Sequence, residues 1–494
     1  MTSPAPRPSV VFRCDASAEI GVGHVMRCMA LGEAFRLLGH SVLFAVTPET
    51  LKAAPALLGS GQKFVTIAAN ADSQQAQADQ IAATVERPVV LVVDHYGLDR
   101  DFESACRRFA YRVLVLSDGP GRTHDCDVLL DSAREAAPYR GFVPTEAEIL
   151  AGPSFAPIAL CFAQAQPSAL RRRLSTDAVH RILVSFGGSD PAGWTELVLR
   201  HAPRFGGGIA VDVVLGSATS HLDRLVTEFA DRATFHVDTT DMAGLMSRAD
   251  LAIGACGSSS FERCILGLPT VAVPVASNQT GVARLLADSG AAIIVPGSER
   301  STDLLEDRVR HLIADREART HISKSAAALV DGRGSQRVAL AVSQASPRAR
   351  LRLAEPADRD LLLTWQLEPG ARTYSRDTSP PTEESHIAWF EKTLADPNRW
   401  LMIFETNGVS VGSVRLDRLP APEPTFEVSV LVSEAHRGAG TGTAALRAAR
   451  KIAAPHVVLI AEIDDRNVAS QRAFAAAGFV QTAERHWKSR ALDA

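Results

Sequence analysis

The sequence predicts an α/β protein in which two doubly wound, Rossmann-like domains precede a smaller α+β domain. Short apolar runs alternate with helical patterns in two series, at residues 10–116 and 181–295. Such alternation is typical of parallel sheets covered by helices on both faces. Beyond residue 351 the rhythm changes to antiparallel-looking strands followed by a glycine-rich turn and a helix, which predicts a domain of a different class.

The domains predicted from these patterns span residues 1–165, 178–341 and 351–490. A chain of 494 residues is expected to hold roughly two to four domains. The polar segment 163–177, with three consecutive arginines, is interpreted as the connection between the first two domains. Residues 343–350 read S-Q-A-S-P-R-A-R and are typical of a linker, which suggests that the third domain folds on its own.

Individual elements follow from the periodicity of the apolar residues. In the first two domains strands are predicted at 10–12, 41–46, 88–93, 112–116, 181–186, 210–215, 233–237, 251–255, 270–275 and 291–295. In the third domain they are predicted at 351–353, 400–406, 409–416, 426–432 and 457–463. Helices are predicted at 24–38 and 444–452.

The composition is that of an ordinary soluble globular protein, with 46% hydrophobic and 22% charged residues and a formal net charge of −4. This charge excludes a general attraction to nucleic acid or to anionic membranes. The seven cysteines form no Cys-x-x-Cys pair, which predicts reduced thiols and neither a disulfide framework nor a zinc site. The first residues lack the apolar core of a signal peptide and no apolar stretch could span a bilayer, so a cytoplasmic protein is expected.

The most informative segment is R-C-D-A-S-A-E-I-G-V-G-H-V-M-R at residues 13–27. An apolar run leads into a turn with Gly21 and Gly23, and a helical pattern begins at about His24. The amides and positive dipole end of a helix N-terminus suit a phosphate or a sugar. They also disfavour an imidazolium, so His24 is expected to stay neutral and to act as a general base. The alternative is a structural turn, and Met26 in place of a glycine argues against a dinucleotide site.

A second turn lies in L-A-I-G-A-C-G-S-S-S-F-E-R-C-I-L-G-L-P at residues 251–269. A predicted buried strand ends at Gly254, and Gly257 precedes three serines whose hydroxyls and amides suit a diphosphate. Glu262 falls in the first turn of the following helix, where its carboxylate would accept two hydrogen bonds from a ribose diol. The alternative is an N-capped helix with a favourable glutamate near its start.

Two further strand ends carry candidate ligand residues. R-I-L-V-S-F-G-G-S-D-P at residues 181–191 places Gly187 and Gly188 where the backbone can approach a nucleotide. Asp94 and Tyr96 follow a strand of the first domain, and open α/β sheets bind ligands at the carboxyl ends of strands. A structural turn is the alternative at both places. Together the turns are expected to face one cleft.

The order of these motifs resembles that of nucleotide-sugar enzymes with the GT-B fold. With D-H-Y-G-L-D, H-D-C-D-V-L-L-D, L-A-G-P and a later N-Q, they resemble the UDP-2,4-diacetamido-2,4,6-trideoxy-β-L-altropyranose hydrolases of pseudaminic acid biosynthesis over about residues 8–340. The resemblance implies inverting hydrolysis with release of UDP, His24 as the base that activates water, and no metal. It implies substrate-binding residues at Asp15, Gly23, Tyr96, Gly187, Gly188, Ser258, Ser259, Glu262 and Asn278.

The third domain carries a motif in two parts. S-E-A-H-R-G-A-G-T-G-T at residues 433–443 leaves free amides at a helix N-terminus, and D-D-R-N-V-A-S-Q-R-A-F-A-A-A-G-F follows at 464–479. Over residues 351–485 this pairing resembles the GNAT acetyltransferases. W-Q-L-E-P-G and S-H-I-A-W-F resemble the member that modifies the 4-amino group of the same nucleotide sugar. The resemblance implies acetyl-CoA as co-substrate, held by Val430, Val432, Arg437, Gly438, Gly440, Gly442, Thr443 and Asn467.

Two residues bear on the chemistry of this domain. Many relatives place a tyrosine that protonates the departing thiolate where this chain has Phe474, and phenylalanine has no proton to give. Either another donor or water serves, or the domain is slow or inactive. Glu427, on the strand before the loop, is the candidate base for the amine proton, and the alternative is a solvent-facing glutamate.

The leading hypothesis is a bifunctional enzyme that N-acetylates C4 of a UDP-linked sugar and then removes UDP. Its partners would be a UDP-sugar and acetyl-CoA, with no nucleic acid and no membrane. A GT-B glycosyltransferase with a sugar acceptor is one alternative, and a hydrolase whose third domain binds acyl-CoA without catalysis is another. UDP release with water as sole acceptor separates the first two hypotheses, and acetyl-CoA turnover separates the third.

Overall fold

In a computed structural model the chain forms two compact units: Met1–Glu33 with Val42–Val338, and Ala34–Ser41 with Ala339–Ala494. The structure describes residues 10–68, 73–85, 88–190, 192–297, 302–344 and 348–492. Within these ranges no helix is both long and apolar enough to cross a membrane. Nor do any three His, Cys, Asp or Glu side chains of the same residues come together as metal ligands would.

The first unit opens with a seven-stranded parallel sheet. Its strands are β1 (Val10–Cys14), β2 (Val42–Val46), β3 (Lys63–Thr66), β4 (Val89–Asp94), β5 (Ala110–Leu116), β6 (Val128–Asp131) and β7 (Glu148–Ala151). They lie in the order β3-β2-β1-β4-β5-β6-β7. The accompanying helices are α1 (Gly23–Leu37), α2 (Pro48–Ala53), α3 (Ala56–Gly59), α4 (Gln74–Ala82) and α5 (Arg100–Cys106). Every residue of β1 and β4 is buried, which explains their continuous apolar runs.

A second parallel sheet, of six strands, completes the first unit. Its strands are β8 (Arg181–Ser185), β9 (Ala210–Leu215), β10 (Thr234–Val237), β11 (Leu251–Ala255), β12 (Thr270–Val273) and β13 (Ile293–Ile294), in the order β10-β9-β8-β11-β12-β13. Separate apolar clusters lie on its two faces. Its helices are α6 (Leu160–Ser175), α7 (Trp194–His201), α8 (Leu222–Glu228), α9 (Met242–Arg248), α10 (Ser259–Ile265), α11 (Thr280–Asp288), α12 (Thr302–Ala314), α13 (Arg316–Leu329) and α14 (Gly334–Val342).

Each parallel sheet reverses its strand order once, and the predicted ligand turns leave the sheets at these two points. In the first sheet the reversal lies between β1 and β4, where Cys14 is paired with Asp94. In the second sheet it lies between β8 and β11, where Ser185 is paired with Gly254. A crevice opens outside the carboxyl ends of the strands at such a reversal. The fold therefore brings the motif residues to ligand-binding positions.

The second unit contains a mixed sheet of seven strands. They are β14 (Ala349–Leu353), β15 (Arg399–Thr406), β16 (Val409–Leu419), β17 (Thr425–Val432), β18 (Val458–Glu462), β19 (Val480–Ala483) and β20 (His486–Arg490), in the order β14-β15-β16-β17-β18-β20-β19. Its helices are α15 (Arg359–Leu367), α16 (Glu383–Ala395), α17 (Thr441–Ile452) and α18 (Val468–Ala476). The predicted fold class, two doubly wound α/β domains and an α+β domain, is confirmed.

The parallel strands β17 and β18 are joined along only part of their length. Residues 425–427 pair with residues 458–460, whereas β17 continues along β16 as far as Val432. In the unbroken described stretch 348–492, residues 428–432 have no partner strand on the β18 side. The sheet is therefore open along this part of β17.

Four elements of the first unit differ from the predictions. The short strands β3, β6 and β7 were not predicted, because four residues each do not make a recognisable apolar run. The segment 163–177, predicted as a polar connection, lies between β7 and β8 in the chain, but most of it belongs to α6. That helix buries Phe162 and Ala169 in the apolar cluster of the second sheet. Its Arg173 donates to main-chain carbonyl groups, including Met246 O at 2.8 Å.

The predicted domain limits also need correction. The linker predicted at 343–350 is too long, because Ala349 and Arg350 already belong to β14. Residues 345–347 lie outside the described residues, as do residues 1–9 and Pro191 of the third motif. Residues 34–41 do not group with the rest of the predicted domain 1–165. Within the second unit, Ala454 N donates to Leu38 O at 3.1 Å.

Candidate active sites

His24 lies in the first turn of α1, with its ring held by Asp94. His24 Nδ1 and Asp94 Oδ1 are 2.5 Å apart, and the two side chains are only 6% and 1% exposed. Asp94 is the last residue of β4, at the strand reversal, so the topology of the sheet brings it close to His24. With Nδ1–H donating to the carboxylate, Nε2 is left to accept a proton, as a general base requires.

Arg27, one turn along α1 from His24, fixes the charge of Asp94. Its Nε and Nη2 donate to the two oxygens of Asp94, both at 2.6 Å, and its Nη1 donates to Asp118 Oδ1 at 2.6 Å. Although burial raises the pKa of Asp94, Arg27 and His24 hold it well below its usual range. Asp94 therefore stays ionised and orients the imidazole. Arg27 and Asp118 were not predicted as site residues, although the i, i+3 spacing of His24 and Arg27 is visible in the sequence.

Tyr96 links this cluster to the other parallel sheet of the unit. Its hydroxyl donates to Asp118 Oδ2 at 2.7 Å and accepts from Asn278 Nδ2 at 2.5 Å. Asn278 lies in the 3₁₀ turn Ser277–Gln279, after β12. The Tyr96 ring also stands edge-on to His24, with ring centroids 4.5 Å apart. The structure thus brings together three residues that the sequence analysis had selected separately.

Asp15 is held by protein groups. His95 Nε2 lies 3.2 Å from its Oδ2, Arg13 donates to the same oxygen at 2.7 Å, and Thr50 Oγ1 donates to Oδ1 at 2.9 Å. Burial raises the pKa of Asp15, but these partners hold it well below its usual range. Its side chain is 13% exposed. The visible role of Asp15 is to brace the loop after β1, and its contact with a sugar stays a prediction.

The glycine and serine turns of the two parallel sheets meet each other. A Cβ placed on Gly23 would lie 3.4 Å from Ser258 Oγ, and one placed on Gly188 would lie 3.4 Å from the Val22 methyl groups. Gly187 has φ 98°, which favours glycine, and open space where a Cβ would stand. The turns after β1, β8 and β11 therefore face one another, as expected for one cleft.

Glu262 lies in the first turn of α10. Among the residues that the structure describes, no group donates a hydrogen bond to its carboxylate. Burial raises the pKa of Glu262 to about 7, and the charge of Arg263 offsets only part of this rise. A half-buried carboxylate without donors costs free energy. The position therefore suits a ligand that brings its own donors, as the two hydroxyls of a ribose would.

Arg263 supports the serine turn from inside the protein. It is buried, and its Nη2 donates to Ala255 O at 2.6 Å and to Ser260 Oγ at 2.9 Å. Its Nη1 donates to Ser259 Oγ at 3.3 Å. Burial lowers the pKa of Arg263. The sequence analysis did not identify this residue, which places positive charge behind a turn suited to a diphosphate.

We expect Glu262→Gln to weaken binding of a UDP-sugar by about 1–3 kcal/mol, because hydrogen bonds to a charged acceptor are lost. Affinity of the unchanged protein should rise between pH 6 and pH 8, as the carboxylate ionises through a pKa of about 7 and becomes the stronger acceptor. Glu262→Gln should lose this dependence. Calorimetry with a UDP-sugar measures both effects, since its diphosphate diester does not titrate in this range.

Glu317→Gln, in the first turn of the neighbouring helix α13, is the matched control and should bind normally. A carboxyl whose folded pKa lies above its unfolded value contributes stability that is lost as pH rises. Glu262→Gln should therefore increase the free energy of unfolding at pH 8 by about 1–2 kcal/mol. Unchanged affinity for the UDP-sugar in Glu262→Gln would refute the ribose contact.

The second unit contains a cavity of about 1590 Å³. Its walls include the open part of β17, the loop before α17, the start of α18 and residues from the segment 370–382. All eight residues predicted to hold acetyl-CoA line it, and so do Glu427 and Phe474. The fold thus brings together, in one cavity, residues that are more than 40 positions apart in the sequence.

The glycines of the loop before α17 leave open space at the start of that helix. Gly440 caps the helix with φ 81°, and no atom stands where a Cβ of Gly438 or Gly440 would be. The first turn of α17 contains no acidic residue, so its amides are open to an anion. Arg437 donates to Pro369 O at 2.7 Å and to Glu368 Oε2 at 2.9 Å, and its contact with acetyl-CoA stays a prediction.

Glu427 is paired with a cation. Arg376 Nη2 donates to Glu427 Oε1 and also to Glu462 Oε2, the latter at 2.8 Å. The Arg376 side chain is 66% exposed. Two carboxylates that share one cation also suit a protonated amine, so an amine acceptor would compete with Arg376. The role of Glu427 as a base stays a prediction.

Two residues of the second motif, Asn467 and Phe474, lie at α18. Asn467 caps the helix, with its Oδ1 accepting from Ser470 N at 3.1 Å. Phe474 is 4% exposed and packs edge-on against Phe479, with ring centroids 4.9 Å apart. Phenylalanine, in place of the usual tyrosine, therefore makes an apolar contact, and position 474 offers no proton donor.

Together these sites define an enzyme with a GT-B-like pair of Rossmann-like domains and a fused acetyltransferase domain. Residues 182–338 match the family model of the glycosyltransferase family 28 C-terminal domain. Residues 348–480 match the model of the acetyltransferase (GNAT) domain. The chain therefore contains a GNAT acetyltransferase domain after a segment that matches the C-terminal domain of family 28 glycosyltransferases.

Three individual proteins are similar to larger parts of this chain. The UDP-2,4-diacetamido-2,4,6-trideoxy-β-L-altropyranose hydrolase of Campylobacter jejuni is 24% identical over 286 residues, which are 57% of this chain and 97% of that protein. An uncharacterized protein of Methanocaldococcus jannaschii is 23% identical over 489 residues, 95% of this chain and 96% of that protein. MurG of Acinetobacter baumannii overlaps with a TM-score of 0.48 at 18% identity, over 67% of this chain and 98% of that chain. The resemblance predicted from the motifs, to this hydrolase and to the GNAT acetyltransferases, is confirmed.

Proposed function

We propose that the first unit hydrolyses UDP-2,4-diacetamido-2,4,6-trideoxy-β-L-altropyranose to UDP and the free sugar. The observation that carries this proposal is the buried pair of His24 and Asp94 at the strand reversal. The unpartnered carboxylate of Glu262, beyond the serine turn that meets Gly23, supports it. The hydrolase of that name, matched over 97% of its length, supports the same reaction.

In the proposed reaction, Nε2 of His24 takes a proton from water while the water oxygen bonds to the anomeric carbon. The bond between this carbon and the UDP oxygen breaks, and the diphosphate leaves with the electron pair. The glycine turn after β8 and the serine turn after β11, with Arg263 behind the serines, stabilise the charge that develops. Attack from the face opposite the UDP inverts the anomeric centre.

The second unit, in the same proposal, transfers an acetyl group from acetyl-CoA to the 4-amino group of the UDP-linked precursor. The match of residues 348–480 to the GNAT domain supports the reaction type. The cavity that gathers the predicted donor-binding residues beside Glu427 and Glu462 supports an amine acceptor. The product of the second unit would then be the substrate of the first.

The test is mass spectrometry of the products that the full-length protein forms from a panel of UDP-4-amino sugars. With acetyl-CoA present, we expect an N-acetylated UDP-sugar, then UDP and a free sugar whose new oxygen comes from ¹⁸O-labelled water. His24→Ala should accumulate the acetylated UDP-sugar. Binding of acetyl-CoA without amine-dependent CoA release over the whole panel would favour an acyl-CoA-binding module.

A glycosyltransferase is the second candidate, favoured by the family model that residues 182–338 match. In that case a sugar hydroxyl takes the place of the water that His24 activates. UDP release that depends on an added sugar acceptor, and that leaves ¹⁸O-labelled water unused, would identify this activity.

A further inference from the structure

The acetyltransferase chemistry proposed above needs a proton donor that its usual position lacks. When an amine takes the acetyl group, the sulfur of CoA leaves as a thiolate and must be protonated. Phe474 cannot do this, and it is buried against Phe479. Another donor in the cavity, or water, must therefore supply this proton.

The chain has four tyrosines, and one of them, Tyr374, lines the cavity of the second unit. Of the four in the sequence, only Tyr374 falls within the second unit. It lines the same cavity as Asn467 and Phe474, and it is 41% exposed. Within the described residues no protein group forms a hydrogen bond with its hydroxyl. The hydroxyl is therefore available to a molecule in the cavity.

Two contacts hold the segment that carries Tyr374 near residues of the proposed reaction site. The guanidinium carbon of Arg466, next to Asn467, lies 5.9 Å from the centroid of the Tyr374 ring. Two residues after the tyrosine, Arg376 is bound to Glu427 and Glu462 on the neighbouring strands β17 and β18. Tyr374 thus lies beside the residue that precedes Asn467 and two positions from the arginine that binds the candidate base.

We propose that Tyr374 is the general acid that protonates the leaving thiolate, in place of the missing tyrosine at 474. This rests on the proposed acetyl transfer. The amine nitrogen bonds to the acetyl carbon, the carbon–sulfur bond breaks, and the sulfur takes the phenolic proton of Tyr374. The proton that the amine loses passes to Glu427 or water, and the phenolate regains a proton from solvent. Amine and thioester become amide and thiol with no other reactant.

The test uses the full-length protein and follows amine-dependent CoA release. Tyr374→Phe should lower kcat by about 10²-fold, as expected for lost general-acid help, and leave KM for both substrates within about threefold. Adding Phe474→Tyr to Tyr374→Phe should restore most of kcat, because the hydroxyl returns from the usual position. Tyr111→Phe, equally exposed at 41% but on β5 of the first unit, is the matched control and should have no effect.

Several results would overturn the assignment. They are an unchanged kcat in Tyr374→Phe, a loss confined to KM for the amine, and a double variant as slow as the single one. A large loss in Ser470→Ala with normal Tyr374→Phe would assign the proton to another cavity residue. Absence of CoA release by the unchanged protein over the whole amine panel would instead count against the proposed acetyl transfer.

Discussion

His24→Ala is expected to release UDP from its UDP-sugar with a kcat about 10²–10⁴-fold below that of the unchanged protein. The reason is the loss of the one imidazole that Asp94 orients at the strand reversal, 2.5 Å from its carboxylate. KM should change little, because on the proposed function the nucleotide is held by the turns of the second sheet. A coupled assay for UDP, with circular dichroism to verify folding, measures this effect.

His236→Ala is the matched control, because it also removes a histidine bound to an aspartate. His236 Nε2 lies 2.9 Å from Asp212 Oδ1, at the pairing of β9 with β10 and away from the reversal between β8 and β11. This variant should release UDP at the normal rate. Free imidazole should restore part of the activity of His24→Ala. Release of UDP at a normal rate by a folded His24→Ala protein would end the assignment of the base.

Asp94→Asn should show a second large effect, a loss in kcat of at least about 10²-fold. The amide carries no charge, so it neither holds the proton of His24 on Nδ1 nor balances Arg27, which makes two bonds to the carboxylate. Stability should fall by about 1–3 kcal/mol, because Arg27 loses one of its two carboxylate partners and keeps only Asp118. Steady-state kinetics and urea unfolding measure the two effects.

Non-additivity distinguishes the role of Asp94 in catalysis from a purely structural one. If Asp94 acts by orienting His24, the double variant His24→Ala with Asp94→Asn should be no slower than His24→Ala alone. Losses that multiply would mean that Asp94 contributes independently of the histidine. Asp212→Asn, which breaks the other His–Asp pair, serves as the control and should leave kcat unchanged.

The residues whose placement in the fold was predicted well are those whose position follows from local chain geometry. His24 and Glu262 each lie in the first turn of a helix after a buried strand, so strand, turn and helix could be recognised in order. Their arrangement in one cleft follows from the strand reversals of the two sheets. The placement of these two residues in one cleft could therefore be predicted without knowing any side-chain contact.

Contacts between distant elements could not be predicted in the same way. Arg27 meets Asp118 across 91 positions, and Asn278 meets Tyr96 across 182. Such pairs depend on which strand ends are neighbours and on the rotamers that packing allows. Arg437 is another example, because its bond to Glu368, 69 positions away, could not be predicted from the sequence of the loop.

The open length of β17 has a consequence for the solubility of the protein. Residues 428–432, within the described stretch 348–492, have no strand on the β18 side, and an unpaired strand edge is a template for association with another chain. On the proposed function, the amide groups in the arm of acetyl-CoA would cover this edge as a strand does. Natural selection for tight donor binding and selection against aggregation would then act on the same five residues.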